Sequence, residues 1–450
     1  MGKYFGTDGF RGEANRDLTA MHAFKLGRFL GSYYSSAARR AQVVIGKDTR
    51  ASGYMLEDAL CAGLTSAGAD AYLLHVTSTP SVSYVARTEE FDCGAMISAS
   101  HNPYWDNGIK LINGLGEKMD DSIIAKAEAF LDAEDTVPYA QREHIGRVID
   151  HAAGRNRYIG YLISLATHSY KGVRVGLDCA NGSTWQLGES VFKALGAETY
   201  VVGNRPNGEN INNGCGSTHI ENLRKLVLDN QLDVGFAFDG DADRCIAVDE
   251  KGNIVDGDRI MYIYAAYMKR KGTLGDTHVV TTVMSNMGLY RALDELGIGY
   301  EQTDVGDRFV YERMRQRGDL LGGEESGHII FSKFATTGDG LLTAIKIMEA
   351  MLGQKRPLSE LHEPMESFPH VLVNLRVDNK QATIDDPAVQ KALSEARYQL
   401  GKNGRVLLRK SGTEPVVRVM SEAAIAESAQ EAVAMVTEAI KASGHILQED

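Results

Sequence analysis

Cysteine is scarce in this chain of 450 residues. The five copies are Cys61, Cys93, Cys179, Cys215 and Cys245. They are odd in number and scattered, and no two of them form a C-x-x-C pair, which argues against a disulfide framework and against a structural zinc site. Since a reducing cytosol keeps thiols unpaired, we expect a cytoplasmic protein.

Long apolar runs and an excess of positive charge are also missing. The N-terminal segment lacks the apolar core of a signal peptide, and no apolar run is long enough to span a bilayer. The formal net charge of −12 disfavours general binding to nucleic acid or to an acidic membrane surface. We therefore expect no nucleic-acid or membrane partner, and any anionic ligand must be held by a local cluster of donors.

The length of the chain and a repeated pattern predict several domains. A chain of 450 residues is too long for one core. An apolar run, a polar loop, a helical stretch, a Gly turn and a second segment recur from Val43, Val173 and His278. Each copy is typical of a βαβ unit, and α/β sheets bind ligands at the loops that follow their strands. We predict three similar α/β domains with mixed, mostly parallel sheets around a central cleft.

The C-terminal region has a different pattern. Segments 370–377, 405–409 and 416–420 are typical of strands, and residues 424–442 are typical of a helix. This pattern predicts a small α+β domain. The predicted domains are 1–153, 154–255, 256–367 and 368–450.

Ser100 stands between an apolar run and a turn. The run 93–97 precedes it, and Asn102-Pro103 turns the chain after it. We expect the hydroxyl at the tip of a loop held by rigid structure. A Ser-His-acid hydrolase is one interpretation, but a side chain adjacent in sequence, such as His101, is expected to point away from Ser100. No G-x-S-x-G elbow supports a hydrolase either.

Three aspartates at every second position follow the apolar run 234–238. On an extended segment Asp239, Asp241 and Asp243 would face one side and offer up to three oxygen ligands to a divalent cation. An EF-hand is disfavoured, because no helix precedes the loop and no Glu closes it. A solvated acidic turn is the alternative. We predict a Mg²⁺ site, since Mg²⁺ suits a few carboxylates completed by phosphate and water.

Two further loops have the composition of ligand-binding loops. Residues 409–418 contain guanidinium, hydroxyl and glycine donors suited to a phosphate: Arg409, Ser411, Gly412, Thr413 and Arg418. The Gly-bounded loop 322–328 carries Glu324, Ser326 and His328, which suit sugar hydroxyls and proton exchange. A tight turn with surface arginines and a plain Gly-rich connector are the alternatives. A third Gly-rich segment, 6–12, carries Arg11 and lacks the G-K-[ST] of a P-loop.

Phosphoryl transfer accounts for these loops together. A cation would neutralise a phosphate on Ser100, and in-line transfer needs mainly positioning and charge stabilisation. The loop 409–418 would hold a second phosphate that does not react. A serine that carries one phosphate, together with a separate binding site for a second phosphate, is the arrangement expected of a mutase. A kinase is less well supported, because the sequence has no evident nucleotide-binding Gly loop.

Segments 98–102, 239–244, 324–328 and 411–415 resemble, in order along the whole chain, the signature loops of the α-D-phosphohexomutases. The resemblance implies that Ser100 is a phosphoserine and that it ligates Mg²⁺ with Asp239, Asp241 and Asp243. It implies that the groups around the transferring phosphoryl, or its acid and base partners, are Arg11, His101, Lys110 and Arg244. It also implies a sugar site at Glu324, Ser326 and His328, and a second phosphate site at Arg409, Ser411, Gly412, Thr413 and Arg418.

Segments 3–12, 283–289 and 305–310 are most similar to bacterial family members that act on glucosamine phosphates. This implies interconversion of glucosamine 6-phosphate and glucosamine 1-phosphate through a hexosamine 1,6-bisphosphate, for amino-sugar nucleotide and cell-wall precursor synthesis. Asp307 and Arg308 stand where phosphomannomutase-like members carry His, which favours this substrate. A hexose or hexosamine 1,6-bisphosphate activator and a homodimer are further implications. A phosphoglucomutase or phosphomannomutase is the alternative, and a non-catalytic phosphosugar-binding protein is a third hypothesis.

One residue departs from the family pattern. Ala242 stands where the family usually has Gly in the metal loop. A methyl group there restricts the backbone if φ is positive.

Overall fold

The structure is a computed structural model that describes residues 2–36, 38–411 and 415–447. The chain divides into two compact units. One consists of Met1–Ser285 and Leu296–Pro364, and the other of Asn286–Glu295 and Met365–Asp450.

The first domain has a seven-stranded sheet in the order β1-β2-β6-β5-β3-β4-β7. Its strands are β1 (Phe5–Gly6), β2 (Gly9–Glu13), β3 (Gln42–Lys47), β4 (Asp70–Val76), β5 (Cys93–Ile97), β6 (Asp106–Asn113) and β7 (Val148–Asp150), and its helices are α1 (Ala20–Tyr34), α2 (Ala51–Ser66), α3 (Thr79–Thr88) and α4 (Asp121–Asp132), with a 3₁₀ turn at Arg142–His144. All five residues of β5 are buried. Burial on both faces explains why this strand is a continuous apolar run in the sequence.

The second and third domains have smaller sheets, in the orders β12-β11-β10-β8-β9 and β14-β13-β15-β16. The elements of the second are α5 (Ala152–Ser164), β8 (Arg174–Asp178), α6 (Thr184–Ala194), β9 (Glu198–Val202), α7 (Glu221–Asn230), β10 (Val234–Phe238), β11 (Cys245–Asp249) and β12 (Ile254–Val255). Those of the third are α8 (Gly257–Lys271), β13 (Val279–Thr282), α9 (Met287–Leu296), β14 (Tyr300–Thr303), α10 (Asp307–Arg317), β15 (Leu321–Gly323), β16 (Ile329–Phe331), α11 (Gly340–Gln354) and α12 (Leu358–His362).

One four-stranded module recurs in the three domains. If its strands are numbered along the chain, their order across the sheet is 4-3-1-2 in each copy: β6-β5-β3-β4, β11-β10-β8-β9 and β16-β15-β13-β14. Strands 1, 2 and 3 are parallel, and strand 4 returns antiparallel to strand 3. The predicted fold of three similar α/β domains is therefore confirmed. The connection from strand 3 to strand 4 carries the Ser100 loop, the aspartate loop and the Glu324 loop in turn.

The second unit contains a three-stranded antiparallel sheet in the order β17-β19-β18. Its further elements are β17 (His370–Arg376), α13 (Lys380–Asp385), α14 (Pro387–Leu400), a 3₁₀ turn (Gly401–Asn403), β18 (Gly404–Lys410), β19 (Val416–Ala423) and α15 (Ala426–Ala442). Its core is built by Val406, Val419, Leu393 and Val433. The predicted small α+β domain is confirmed, but α13 and α14, which lie between its first two strands, were not predicted.

The domain limits remain predictions, and two features bear on them. Helix α5 runs through the limit placed between residues 153 and 154. Residues 286–295 group with the C-terminal unit. Within that unit Asn286 Oδ1 accepts a hydrogen bond from the Phe368 amide (2.8 Å), and Glu422 Oε2 accepts one from the Met287 amide (3.0 Å). Side-chain caps of this kind leave no trace in hydrophobic periodicity.

All five cysteines are buried and have free thiols. Among the described residues, no helix combines the length and the apolar character needed to cross a membrane.

A buried carboxylate ties α5 to the start of α11. Asp339 is 2% exposed, caps α11 by accepting a hydrogen bond from the Leu342 amide (3.0 Å), and accepts another from the Tyr158 hydroxyl (2.8 Å). Burial raises the pKa of Asp339 to about 6 in spite of these donors. Ionisation of Asp339 therefore lowers the free energy of unfolding. This loss of stability sets in as the pH rises above the ordinary aspartate pKa and is fully present above about pH 6.

We expect Asp339→Asn to stabilise the protein near neutral pH. An amide keeps the cap and has no charge to desolvate, so at pH 7.5 the free energy of unfolding is expected to rise by up to about 3 kcal/mol. Because the folded-state pKa lies above the unfolded one, the advantage is present above pH 6 and declines as the pH falls toward 4. Urea unfolding of both proteins across this range measures it. An equal gain in the free energy of unfolding at pH 7.5 and at pH 4 would contradict the raised pKa of Asp339.

Candidate active site

Ser100 lies on the loop between β5 and β6, directly after a buried strand. The residue is 1% exposed, and its φ of 54° lies in the left-handed region that residues other than glycine rarely adopt. The Ser98 hydroxyl accepts a hydrogen bond from the Ser100 amide (2.9 Å). Ser100 Oγ donates one to Asp239 Oδ2 at 2.6 Å. The structure thus places the hydroxyl against a carboxylate of the second domain.

The side chain of His101 corrects one sequence-based expectation. The expectation that it points away from Ser100 was wrong, since His101 Nδ1 lies 3.2 Å from Ser100 Oγ. The left-handed φ of Ser100 breaks the alternation that separates neighbouring side chains on an extended backbone. Burial, and then the charges of Arg244 and Arg11, lower the pKa of His101 to about 4. The imidazole is therefore neutral near pH 7, as a proton acceptor must be.

The aspartate loop follows β10 and is a turn. The expectation that an extended segment carries the three carboxylates was therefore wrong. The Ala242 amide donates to Asp239 O (3.1 Å), and Ala242 has a φ of 59°. The reversal, and not an alternation of side chains, brings together Asp239, Asp241 and Asp243, which are at most 5% exposed.

Substitutions at Ala242 test how tightly the turn constrains the metal loop. We expect Ala242→Gly to change the free energy of unfolding by less than about 1 kcal/mol, because relief of left-handed strain and loss of a buried methyl group oppose each other. Ala242→Val is expected to cost about 3 kcal/mol, since a β-branched side chain fits neither the backbone nor the packing. Chemical unfolding measures both changes. A valine variant as stable as the wild type would contradict this.

Two side chains of the first domain hold the aspartate loop. Lys110 Nζ, on β6, lies 2.6 Å from Asp241 Oδ2 and 3.0 Å from Asp243 Oδ2. Burial acts to lower the pKa of Lys110, but these two carboxylates outweigh it and raise that pKa above its ordinary value. Thr79, at the start of α3, donates its amide to Asp241 O (2.9 Å) and its hydroxyl to Asp241 Oδ2. The loop is fixed even though its carboxylates repel one another.

The three aspartates fit a divalent cation. Each offers a carboxylate oxygen, and these atoms lie within 4.8 Å of one another. Asp241 Oδ1 is buried and has no hydrogen-bond partner in the part of the chain that the structure describes. Burial, and then the charges of Asp243 and Asp241, raise the pKa of Asp239 well above its ordinary value. A cation would reverse that shift and satisfy the unpartnered oxygen, and hard oxygen ligands suit Mg²⁺ or Ca²⁺.

Two arginines lie beside the cluster. Arg11, on β2, is held by Asp8 through an Nη2–Oδ2 contact of 2.8 Å. The Arg244 amide donates to Asp239 Oδ1 (3.2 Å), and its guanidinium Nε lies 4.0 Å from Asp243 Oδ1. Both side chains are largely buried, so their charges are weakly screened. They can stabilise a negative charge near Ser100.

The predicted sugar loop meets the aspartate loop through one side chain. His328 Nδ1 lies 3.7 Å from Asp243 Oδ1, and its Nε2 lies 3.4 Å from Asp307 Oδ2. Burial acts to lower the pKa of His328, but Asp307 and Asp243 raise it to about 9. Glu324 Oε1 accepts a hydrogen bond from the Gly306 amide (3.1 Å), and burial raises its pKa. Ser326 is exposed.

Two charged side chains beside these loops, Lys118 and Asp8, were not predicted from the sequence. Lys118 Nζ lies 2.9 Å from Asp8 Oδ1 and 2.6 Å from Asp307 Oδ1, and so joins the first domain to the third. These three residues line a cavity of about 540 Å³ that also reaches Lys110 and Asp243. Asp8 belongs to the Gly-rich segment 6–12, so that segment was a usable signal. Nothing in the sequence around Lys118 marks it.

The predicted phosphate loop lies at the end of the β18–β19 hairpin in the C-terminal unit. Arg409 and Arg418 are direct cross-strand partners, so their side chains share a face of the sheet. The Ser411 amide donates to Val416 O (2.8 Å), and Lys380 Nζ donates to Ser411 O (2.9 Å). Lys380 is a cation that sequence analysis missed. Gly412 and Thr413 lie outside the described residues.

Comparison with known proteins covers the chain from end to end. Four models described as phosphoglucomutase/phosphomannomutase match it in order: alpha/beta/alpha domain I at 2–138, domain II at 156–252, domain III at 256–368 and the C-terminal domain at 372–439. A protein of Lachnospira eligens named phosphoglucosamine mutase is 61% identical over 99% of this chain and 100% of its own length. The chain belongs to the phosphoglucomutase/phosphomannomutase family. The Bacillus subtilis phosphoglucosamine mutase is 49% identical over 98% of this chain and 99% of its own.

Solved structures of other family members share the fold. A phosphoglucomutase/phosphomannomutase family protein of Burkholderia thailandensis has a TM-score of 0.82 at 24% identity, with 99% of each chain covered. The N-acetylphosphoglucosamine mutase of Aspergillus fumigatus, solved with GlcNAc-6P and magnesium, has a TM-score of 0.69 at 18% identity over 98% of this chain and 96% of its own. The predicted membership of the phosphohexomutases is confirmed.

Proposed function

We propose that this chain interconverts glucosamine 6-phosphate and glucosamine 1-phosphate, with Ser100 as the phosphate carrier. The observation that carries the proposal is the contact of the Ser100 hydroxyl with the buried aspartate cluster, at 2.6 Å from Asp239. The names of relatives 61% and 49% identical over nearly the whole chain support glucosamine phosphate as the substrate. The product would supply amino-sugar nucleotide and cell-wall precursor synthesis.

The cation in the proposal is Mg²⁺, held by Asp239, Asp241 and Asp243 and by an oxygen on Ser100. When bound, it offsets the charge of the phosphate that is transferred. Lys110, which holds two of the aspartates, remains charged because its pKa is raised.

The proposed transfer moves a phosphoryl group between Ser100 Oγ and a sugar hydroxyl. In one direction the O–P bond to serine breaks, the sugar hydroxyl loses its proton as its oxygen gains the phosphate, and Ser100 Oγ takes up a proton, which yields a hexosamine 1,6-bisphosphate. In the return step Ser100 Oγ takes the other phosphate and loses its proton, and the sugar oxygen that gives up that phosphate gains one. Neutral His101, 3.2 Å away, is placed to receive that proton. Arg11 and Arg244 stabilise the charge on the equatorial oxygens.

The remaining loops supply binding in this proposal. Glu324, Ser326 and His328 hydrogen-bond the sugar, and the phosphate that does not react is held by Arg409, Ser411, Gly412, Thr413 and Arg418. The cross-strand pairing of Arg409 with Arg418 supports the last role, because it puts two guanidinium groups on one face. A hexose or hexosamine 1,6-bisphosphate primes the serine. A cytoplasmic location and a homodimer stay predictions.

Phosphorus NMR with each hexose 1-phosphate in turn tests the proposal. With Mg²⁺ and a catalytic amount of glucose 1,6-bisphosphate present, glucosamine 1-phosphate is expected to convert faster than glucose or mannose 1-phosphate. Equal or faster conversion of glucose or mannose phosphate would establish the alternative, a phosphoglucomutase or phosphomannomutase. No conversion of any sugar phosphate would support a binding protein.

A further inference from the structure

The backbone around Ser100 is held from two sides by side chains that take no part in the proposed chemistry. The carbonyl oxygens of Ser100 and Asn102 each accept two hydrogen bonds. Arg50 Nη2 donates to them at 3.2 and 2.6 Å, and Asn212 Nδ2 donates to them at 2.9 and 3.1 Å. Each carbonyl oxygen has two lone pairs, so both oxygens are fully satisfied.

Arg50 is a rigid support for this loop. It lies between β3 and α2 and is fully buried. Its guanidinium pairs with Asp48, whose Oδ1 also accepts a hydrogen bond from the Arg50 amide (2.9 Å). A buried arginine fixed by a carboxylate presents its donors in a planar array with little freedom to move.

Asn212 contributes from the second domain. It is 6% exposed, and its φ of 57° is a conformation that asparagine tolerates better than most residues. Its amide donates to Ala180 O at 2.9 Å, which anchors the backbone. The side chain therefore crosses from one domain to the loop of the other.

The aspartate loop packs directly on this arrangement. A Cβ built on Gly240 would lie 2.5 Å from Ser100 O and 3.1 Å from Asn212 Nδ2. Only glycine allows so close an approach. The same contacts therefore set the orientation of the Ser100 loop and its separation from Asp239.

We propose that Arg50 and Asn212 are positioning residues that clamp the Ser100 loop in its left-handed conformation for phosphoryl transfer. The inference rests on the proposed function. Ser100 is strained at a φ of 54°, and four hydrogen bonds to two carbonyl groups oppose its relaxation. Both carbonyl oxygens are engaged by donors, so they are kept from turning toward a phosphate on Oγ, whose negative charge they would repel. A change at the clamp therefore acts on Ser100 through the backbone.

The test removes the Asn212 donors without straining the backbone. Glycine and aspartate both tolerate the positive φ of this position, and both Asn212→Gly and Asn212→Asp lose the N–H groups of the side-chain amide. The rate at which unphosphorylated enzyme takes phosphate from glucose 1,6-bisphosphate is followed by the mass of the intact protein. We expect each variant to lower this rate and kcat by about 10²-fold, the effect of a misplaced reacting group, with little change in KM. The phosphorus resonance of the phosphoserine is expected to shift.

Two sets of controls separate positioning from stability. Asn213 is exposed and adjacent, so Asn213→Gly and Asn213→Asp make the same changes without touching the loop. Glu57→Gln breaks the buried Lys47–Glu57 pair in the first domain. It is expected to lower the melting temperature and to leave kcat per folded molecule close to the wild-type value. Arg50→Lys keeps the charge but loses the planar fork, and is expected to resemble the Asn212 variants. If Arg50→Lys does not fold, the Asn212 variants decide.

The outcomes are distinguishable. Wild-type rates of Ser100 phosphorylation and an unshifted phosphorus signal in both Asn212 variants would overturn the clamp alone. A loss of melting temperature with unchanged kcat per folded molecule would also overturn it, in favour of a purely structural role. Failure of the wild-type enzyme to accept phosphate on Ser100 would overturn the proposed function and the clamp with it.

Discussion

Replacing Ser100 with alanine is expected to abolish transfer of phosphate to the protein and to lower mutase turnover by at least about 10³-fold. The reason is chemical, because alanine has no oxygen that can carry a phosphate. The Thr79 hydroxyl also contacts the cluster, but it donates to Asp241 and not to Asp239, against which Ser100 Oγ lies. The fold should survive, since the alanine would keep the backbone contacts of the Ser100 carbonyl with Arg50 and Asn212. Phosphorus-labelled bisphosphate measures the transfer, and the NMR assay measures turnover.

Ser98→Ala is the matched control for this experiment. Ser98 is as buried as Ser100 and lies on the same loop. Its hydroxyl accepts a hydrogen bond from the Ser100 amide and bonds to Asp48, and among the described residues it makes no hydrogen bond to the three aspartates of the cluster. We expect the Ser98 variant to be slower than the wild type and still to take up label. Label on the Ser100→Ala protein at the wild-type level would exclude Ser100 as the phosphate carrier.

The strands and their functional loops could be predicted because burial leaves a direct signature in the sequence. Strands β5 and β10 are covered on both faces, so each is a run of five buried residues, and the polar residues that follow mark the loop. The same reasoning found the C-terminal strands, where β17 alternates between exposed and half-buried residues. The threefold repeat followed from the spacing of these runs.

The local geometry of the loops could not be predicted in this way. Both errors, the orientation of His101 and the extended aspartate segment, came from assuming ordinary backbone at Ser100 and Ala242, which have positive φ. Serine and alanine rarely adopt that region, so residue type gave no warning at Ser100. At Ala242 the signal was the glycine that the family usually has at this position. The strain persists because neighbouring domains hold the loops, and a single segment of sequence does not show such contacts.

Partners from distant segments were the second gap. Asn212 contacts the Ser100 loop from 112 residues further along the chain, and Lys118 and Asp307 are 189 residues apart. Neither residue stands in a distinctive motif. Arg50 is different, since it ends the polar loop that follows β3, and loops at the ends of parallel strands are where α/β sheets place functional groups.

Replacing Asp241 with asparagine is expected to remove most of the response of the protein to Mg²⁺. In the wild type a ligand that binds the folded state raises the melting temperature as its concentration exceeds Kd. Asp241 Oδ1 and Asp243 Oδ1 are both buried without a hydrogen-bond partner among the described residues. Asp243 Oδ1 lies near His328 and Arg244, so Asp241 Oδ1 is the ligand atom with the least to lose on binding. The substitution replaces a carboxylate oxygen with an amide oxygen, which is a weaker ligand, and it removes one of the three negative charges of the cluster. We expect the Mg²⁺-dependent rise in melting temperature to shrink, and turnover to fall on the order of 10³-fold.

The Asp241→Asn variant also distinguishes the contribution of the cation to stability from that of Lys110. Without Mg²⁺, Lys110 balances Asp241 and Asp243, so Asp241→Asn weakens that ion pair while it relieves repulsion among the aspartates. These two effects oppose each other, and the melting temperature of the metal-free protein is expected to change little. The loss should therefore be seen in the response to added Mg²⁺, measured by calorimetric titration after treatment with a chelator.

Asp249→Asn is the matched control, because Asp249 is an equally buried carboxylate at the far end of the same β-hairpin. It pairs with His362 (2.9 Å) and Asn253, away from the aspartate cluster. Its loss is expected to lower stability and to leave the response to Mg²⁺ intact. If the two variants respond to Mg²⁺ equally, the three aspartates are not the cation site, and Lys110 alone must neutralise the loop.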